Sequence, residues 1–97
     1  QGVIKLMVGT DPVEGKINGI RILEHQETPG LGAKITGKSY KSNFQDKPFG
    51  KYKVIKREAT EPNQVEAIAG ATISSRKVTN IVEGAVDKIQ AVYGGGN

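Results

Sequence analysis

The side chains of this sequence best placed for chemistry are hydroxyls at the head of a helix. Gly70-Ala71-Thr72-Ile73-Ser74-Ser75 is a small-residue turn that runs directly into the longest apolar repeat of the chain. A helix start leaves its first N–H groups without partners and carries the positive end of the dipole, so hydroxyls there describe an anion site suited to phosphate. The same residues also describe an ordinary helix start with Ser74 and Ser75 as N-caps. A second segment, Thr28-Pro29-Gly30-Leu31-Gly32, holds glycines that let backbone approach a flat ligand and a leucine that can lie on its face. It reads equally as a tight loop at a strand end.

The two segments gain meaning as a pair. Glu24-His25-Gln26-Glu27-Thr28-Pro29-Gly30-Leu31-Gly32 is followed, about 40 positions later, by Glu66-Ala67-Ile68-Ala69-Gly70-Ala71-Thr72-Ile73-Ser74-Ser75. In wording and order this resembles the FMN-binding domain of ion-pumping respiratory complexes, in particular the G subunit of the Rnf electron-transport complex. The C subunit of the sodium-pumping NADH:quinone reductase is a sister of that protein. The resemblance implies FMN as cofactor, joined through its phosphate to Thr72 by a phosphoester that a dedicated flavin transferase makes with FAD as donor. It implies cofactor contacts from Ile68, Gly70, Ala71, Ile73 and Ser74 on one segment and from Thr28, Gly30, Leu31, Gly32 and Lys34 on the other. Lys34 would supply positive charge near the reduced ring, or be a solvated lysine.

The implied function is that of an electron carrier, with no catalytic residue and no metal of its own, in a membrane complex coupling ferredoxin/NAD electron transfer to Na+ or H+ movement. Its partners would be the other subunits of that complex, and its place the extracytoplasmic side of the cell membrane, held by an N-terminal anchor absent from this chain. The family's transferase usually meets an Asp six residues before the threonine and a Ser or Thr three before. Here those positions are Glu66 and Ala69. Glu66 keeps the carboxylate on a longer stem, whereas Ala69 removes a hydroxyl. A flavoprotein module of an extracellular or periplasmic reductase shares the motif, and a non-catalytic interaction module with a basic face is the reading from another class.

The elements that must hold these segments follow from pattern. Val3 to Val8 and Lys16 to His25 are β-rich runs on either side of turn residues from Gly9 to Gly15, and predict an antiparallel hairpin. The apolar positions change parity between Ile17 and Ile20, which predicts a β-bulge at Asn18-Gly19. Ala33 to Phe44 allows a short amphipathic helix through Ile35 and Phe44, weakened by Gly37. Tyr52 to Lys56 and Val65 to Ala69 read as further strands. Val78, Ile81, Val82, Ala85, Val86, Ile89 and Val92 recur at helical steps and predict a long C-terminal amphipathic helix ending near Gly94, before a flexible tail over 94–97. The fold class is α+β, a mostly antiparallel sheet packed against the long helix, with one short helix in addition.

Composition sets the outer limits. With 97 residues, the chain has room for one domain and one core, and with 36% apolar residues and no Trp that core is built from small aliphatics. It has no cysteine and one histidine, which excludes disulfides, iron–sulfur ligation and a Cys/His zinc cluster. His25 beside Glu24 reads as a surface or structural residue, and Glu27 and Thr28 as residues that shape the loop or hydrogen-bond the flavin ring. The net charge of +4 is uneven, because Ala33 to Arg57 holds eight basic residues against Asp46 alone. That segment has no motif of a nucleic-acid-binding fold, so no nucleic acid is expected as a partner.

Overall fold

A computed structural model of the chain describes residues 3–30 and 32–93. The hairpin is its first feature. Strand β1 (Ile4–Asp11) pairs antiparallel with β2 (Lys16–His25), and β2 pairs in turn with a two-residue strand β3 (Lys47–Pro48). Three residues counted to the turn, Gly9, Thr10 and Asp11, belong to β1. The turn closes when Gly15 N–H donates to the Asp11 carbonyl at 2.8 Å and Glu14 N–H to Asp11 Oδ1 at 3.0 Å.

The bulge falls where the parity change placed it. Gly9 faces Gly19 while Thr10 faces Ile17, so Asn18 has no partner across the ladder. The extra residue turns Ile17 onto the same face as Ile20 and Ile22, and Ile17 becomes fully buried. A second register shift, unforeseen, leaves Leu23 unpaired and largely exposed.

The segment from 32 to 44 is three short pieces rather than one helix. A 3-10 turn (Gly32–Thr36), helix α1 (Lys38–Lys41) and a second 3-10 turn (Ser42–Phe44) follow one another. Gly37, with φ −72° and ψ 147°, is extended and separates the first two. Ile35 and Phe44 are nonetheless fully buried, and Tyr40 joins them with its ring edge-on to Phe44 at 5.9 Å.

Strands β4 (Lys53–Ile55) and β5 (Gln64–Glu66) are shorter than expected and form a separate parallel pair. The antiparallel expectation holds for the larger sheet only. Parallel neighbours usually need a crossover of about a dozen residues or more, and here the connection is shorter. Side chains close it. Gln64 Oε1 accepts from the N–H groups of Thr60 and Glu61 at 2.9 and 3.1 Å. The buried Lys47 donates from Nζ to the carbonyls of Pro62 at 2.7 Å and Gln64 at 2.8 Å, with the Tyr52 ring 5.5 Å away. Burial pushes the Lys47 ammonium below its usual pKa. The Tyr52 hydroxyl is pushed up to about 12 by burial and by the Glu83 carboxylate.

Helix α2 (Thr72–Tyr93) lies across both sheets. Val78, Val82 and Val86 are fully buried against Ile17, Ile35, Phe44 and Val65, each contributing about 1.5–3 kcal/mol by burial. The buried stripe is narrower than the apolar repeat. Ile81 lies at its exposed margin and Val92 is solvent-facing, because a helix of 22 residues is about 33 Å long and its last turn runs past the core. Gly94 and the tail lie outside the described residues.

Lys47 is the charge on which the β4–β5 connection rests. Lys47→Met leaves two carbonyls unpaired and is expected to lower unfolding free energy by about 1–3 kcal/mol in urea titration. An unchanged midpoint would show that the ammonium does not hold the loop.

Candidate functional site

Everything at this site begins with how α2 starts. Ala71 N–H donates to the Ile68 carbonyl at 2.9 Å, and Gly70 turns the chain with φ 79°, a conformation favouring glycine. Ser75 Oγ accepts from Ile68 N–H and donates to the Ala71 carbonyl, both at 3.0 Å. The helix begins at Thr72, so Ser74 and Ser75 sit inside its first turn rather than at the cap. Both are buried, and their hydroxyls tie the helix to the preceding turn and to the glycine loop instead of capping N–H groups. The Ser75 carbonyl also receives Thr79 Oγ1 at 2.8 Å and the buried Tyr40 hydroxyl at 3.3 Å. Burial raises the Tyr40 pKa, which keeps that hydroxyl a donor.

The glycine loop is joined to this helix start by Glu27. Its carboxylate is buried, accepts a short hydrogen bond from Ser74 Oγ, and lies 3.0 Å from Lys77 Nζ. The Ser74 hydroxyl, with Lys77 beyond it, holds the Glu27 carboxyl below its usual pKa against the burial that pushes it up. A negative charge here also suits the positive end of α2. Gly32 makes the contact possible, since a Cβ there would lie 2.6 Å from Glu27 Cβ and 2.8 Å from Ser74 Oγ. His25 Nδ1 accepts from Glu27 N–H at 3.2 Å and Ala33 N–H donates to the Thr28 carbonyl at 3.0 Å, so the loop is shaped from within.

A cavity of about 700 Å³ opens between this loop and the strand leading to α2. Gly30, Lys34, Tyr40 and Asn43 form one wall, and the stretch from Glu66 to Ala69 the other. Asn43 fixes the spacing of the walls, donating from Nδ2 to the Glu66 carbonyl at 3.1 Å and accepting at Oδ1 from Glu66 N–H at 3.0 Å. It thereby does for β5 what a neighbouring strand would.

Of the residues singled out in the sequence, Gly30, Lys34 and Ile68 line this cavity. Gly70, Ala71 and Thr72 carry the chain onward from its second wall, with Thr72 half-buried and Ile73 70% exposed beside it. Ser74 and Gly32 face each other behind the loop, and Thr28 is exposed. Leu31 lies outside the described residues. Sequence reasoning missed Tyr40 and Asn43. Tyr40 carried a weak signal as an aromatic in the amphipathic segment, and Asn43 carried none.

These features suit a flavin mononucleotide. The cavity volume lies within the ordinary range for small-molecule sites, its lining mixes neutral polar groups with Lys34 and Glu66, and the hydroxyl-bearing start of α2 follows its second wall. Among the described residues, no helix is long and apolar enough to cross a membrane.

The Glu27 tie predicts a pH dependence. Its carboxyl pKa is lowered on folding, so its contribution is present above the unfolded value near 4.5 and is lost as pH falls through the lower folded value. In denaturant titrations across that range, Glu27→Gln should flatten the acid-side fall in stability and cost about 1–3 kcal/mol at neutral pH. A variant with the wild-type slope would contradict the assignment.

Comparison with known proteins agrees with this geometry. The model of the FMN-binding domain family matches residues 1–87. The G subunit of the ion-translocating oxidoreductase complex of Methanosarcina acetivorans is 39% identical over 94 residues, covering 97% of this chain and 48% of that protein. The G subunit of the proton-translocating ferredoxin:NAD(+) oxidoreductase complex of Clostridium ljungdahlii is 38% identical, covering 97% of this chain and 50% of its own length. The chain thus spans about half the length of the curated relatives it matches. In fold it is similar to the crystal structure of Shewanella oneidensis NqrC, with a TM-score of 0.70 at 22% identity over 93% of this chain and 49% of that one. With a family match over nearly the whole chain and a cavity that suits the cofactor, this protein belongs to the FMN-binding domain family, and FMN is its cofactor.

Proposed function

We propose that the domain is the flavin-carrying electron-transfer module of an Rnf-type G subunit, with FMN joined through its phosphate to Thr72. The observation that carries this reading is the position of Thr72: a hydroxyl at the first residue of α2, directly after the cavity wall formed by Glu66 to Ala69. The isoalloxazine supplies the electron chemistry when bound. The chain's own residues place it. The N–H groups of the first turn of α2 would hold the phosphate, and the two walls spaced by Asn43 would take the ring. Lys34 sets positive charge at the cavity edge, and Ile73 offers an apolar surface beside the attachment point.

Attachment is the work of a flavin transferase with FAD as donor. The Thr72 oxygen bonds to the phosphorus of the FMN half, the pyrophosphate bond breaks, and AMP leaves with the proton. Glu66 and Ala69 both lie on an exposed stretch, where an enzyme can read them. Relatives of this domain are named for protons in one case and for sodium in another. The domain is therefore assigned the flavin and not the ion. A membrane anchor outside this chain and an extracytoplasmic position complete the reading.

Two outcomes test it. Co-produced with the transferase, the wild-type chain and Thr72→Ser should show flavin fluorescence on a denaturing gel and Thr72→Ala none. Covalent flavin in Thr72→Ala would overturn the linkage. In the loaded protein, Lys34→Gln should lower the flavin midpoint potential by roughly 10–50 mV, a Coulomb effect reduced by solvent around an exposed lysine. Spectroelectrochemical titration reads that shift, and an unchanged potential would remove Lys34 from the site.

A further inference from the structure

The basic segment of the sequence divides sharply once folded. Lys47 is buried among carbonyls and Lys51 pairs with Asp87 at 3.1 Å. Lys53, Lys56 and Arg57 belong to β4 and the loop after it. Lys34, Lys38 and Lys41 lie together on the segment that forms the first wall of the cavity, and Lys34 lines it. Positions 28–45 contain these three lysines and no carboxylate at all. Among the described residues, none of the three has a carboxylate within ion-pair distance, whereas Lys5, Lys16 and Lys51 each do.

Lys34 lines the cavity wall opposite Glu66, and Lys38 and Lys41 follow on the same segment without lining the cavity, so positive charge outweighs negative along this wall. Among the described residues, the same segment offers no large exposed apolar side chain. The large exposed apolar side chains lie on the hairpin and on α2: Val3, Met7, Val13 and Leu23 on the first, and Ile73, Ile81, Val92 and Tyr93 on the second. A surface of this kind attracts an oppositely charged partner quickly and releases it quickly, as small polar redox encounters require. A lipid surface is a poorer match, since three lysines at about 1 kcal/mol each, with no apolar insertion beside them, give only weak attachment.

We propose that Lys34, Lys38 and Lys41 form the docking edge for a redox protein that presents carboxylates around its own cofactor, steering it to the open side of the flavin cavity. This rests on the flavin occupying that cavity. Lys34 lines the cavity, and Lys38 and Lys41 extend the positive field along α1.

The test uses the flavin-loaded chain, reduced and then mixed in a stopped-flow instrument with ferricyanide. Each flavin gives two electrons to two ferricyanide ions and its protons to the buffer. The rate constant should fall at least about fivefold as ionic strength rises from about 10 to 300 mM, and poly-L-glutamate should slow it at low salt. With the cationic oxidant hexaammineruthenium(III), the salt dependence should have the opposite sign. Lys38→Glu/Lys41→Glu should lose most of the low-salt rate with ferricyanide, and Lys38→Gln/Lys41→Gln about half of that loss. Lys88→Glu, on α2 about 24 Å along the helix from Thr72, should change the rate less than about twofold. A salt-independent rate, or equal effects of Lys88→Glu and Lys38→Glu, would overturn the proposal. So would slowing by phosphatidylglycerol vesicles without slowing by poly-L-glutamate. A chain that emerges from the transferase without flavin absorbance fails the functional reading instead. Docking is then read in the unloaded chain from amide shifts at Lys38 and Lys41 on titration with poly-L-glutamate, and the absence of such shifts would overturn it there.

Discussion

The site depends on one buried carboxylate. Glu27 lies near the start of the loop that follows β2, and its oxygens reach Ser74 and Lys77 in the first turns of α2. An ionised group in that position is stable only because it is hydrogen-bonded, faces a cation and lies at the positive end of a helix. Those conditions bind the loop to the helix start with little freedom in angle or spacing. Gly32 enforces the same distance from the other side, since any side chain there would strike both partners. The cavity wall beginning at Gly30 and the hydroxyl of Thr72 are thereby set relative to each other before any ligand arrives.

The second wall is set differently. Beyond β5 the chain has no further strand to pair with, and Asn43 supplies both a donor and an acceptor to the Glu66 backbone. Lys47 and Gln64 hold the connection that brings β5 alongside β4. Two motifs that in sequence are only a glycine loop and a hydroxyl-rich turn become the two sides of one site, spaced by polar contacts rather than by the aliphatic core. The core serves to fix α2, and Val78, Val82 and Val86 do that.

Much of this was legible in the residues. The parity change at Asn18-Gly19 located a bulge, because strand faces alternate strictly and only an inserted residue restores the pattern. The apolar repeat located α2, and the paired motifs pointed to a shared site. The rest depended on distant partners. Ser74 and Ser75 read as caps because caps are local, whereas their actual partners lie on the Glu27 loop and in the turn before the helix. Residues 33 to 44 read as one short helix through Ile35 and Phe44, yet nine positions put those two on opposite faces of a helix, and both are buried in a chain whose backbone is extended at Gly37. In sequence Lys47 is one of eight basic residues between Ala33 and Arg57, and nothing in its neighbourhood announces the carbonyls of Pro62 and Gln64. Long-range polar pairing is the part of a fold that periodicity cannot carry.

The most direct test of the account is the intact mass of the chain after co-production with an FAD-dependent flavin transferase, with peptide mapping of the modified residue. The account predicts a gain equal to FMN less one water, located on Thr72. A chain of unmodified mass, or a flavin mapped to another hydroxyl, would contradict it.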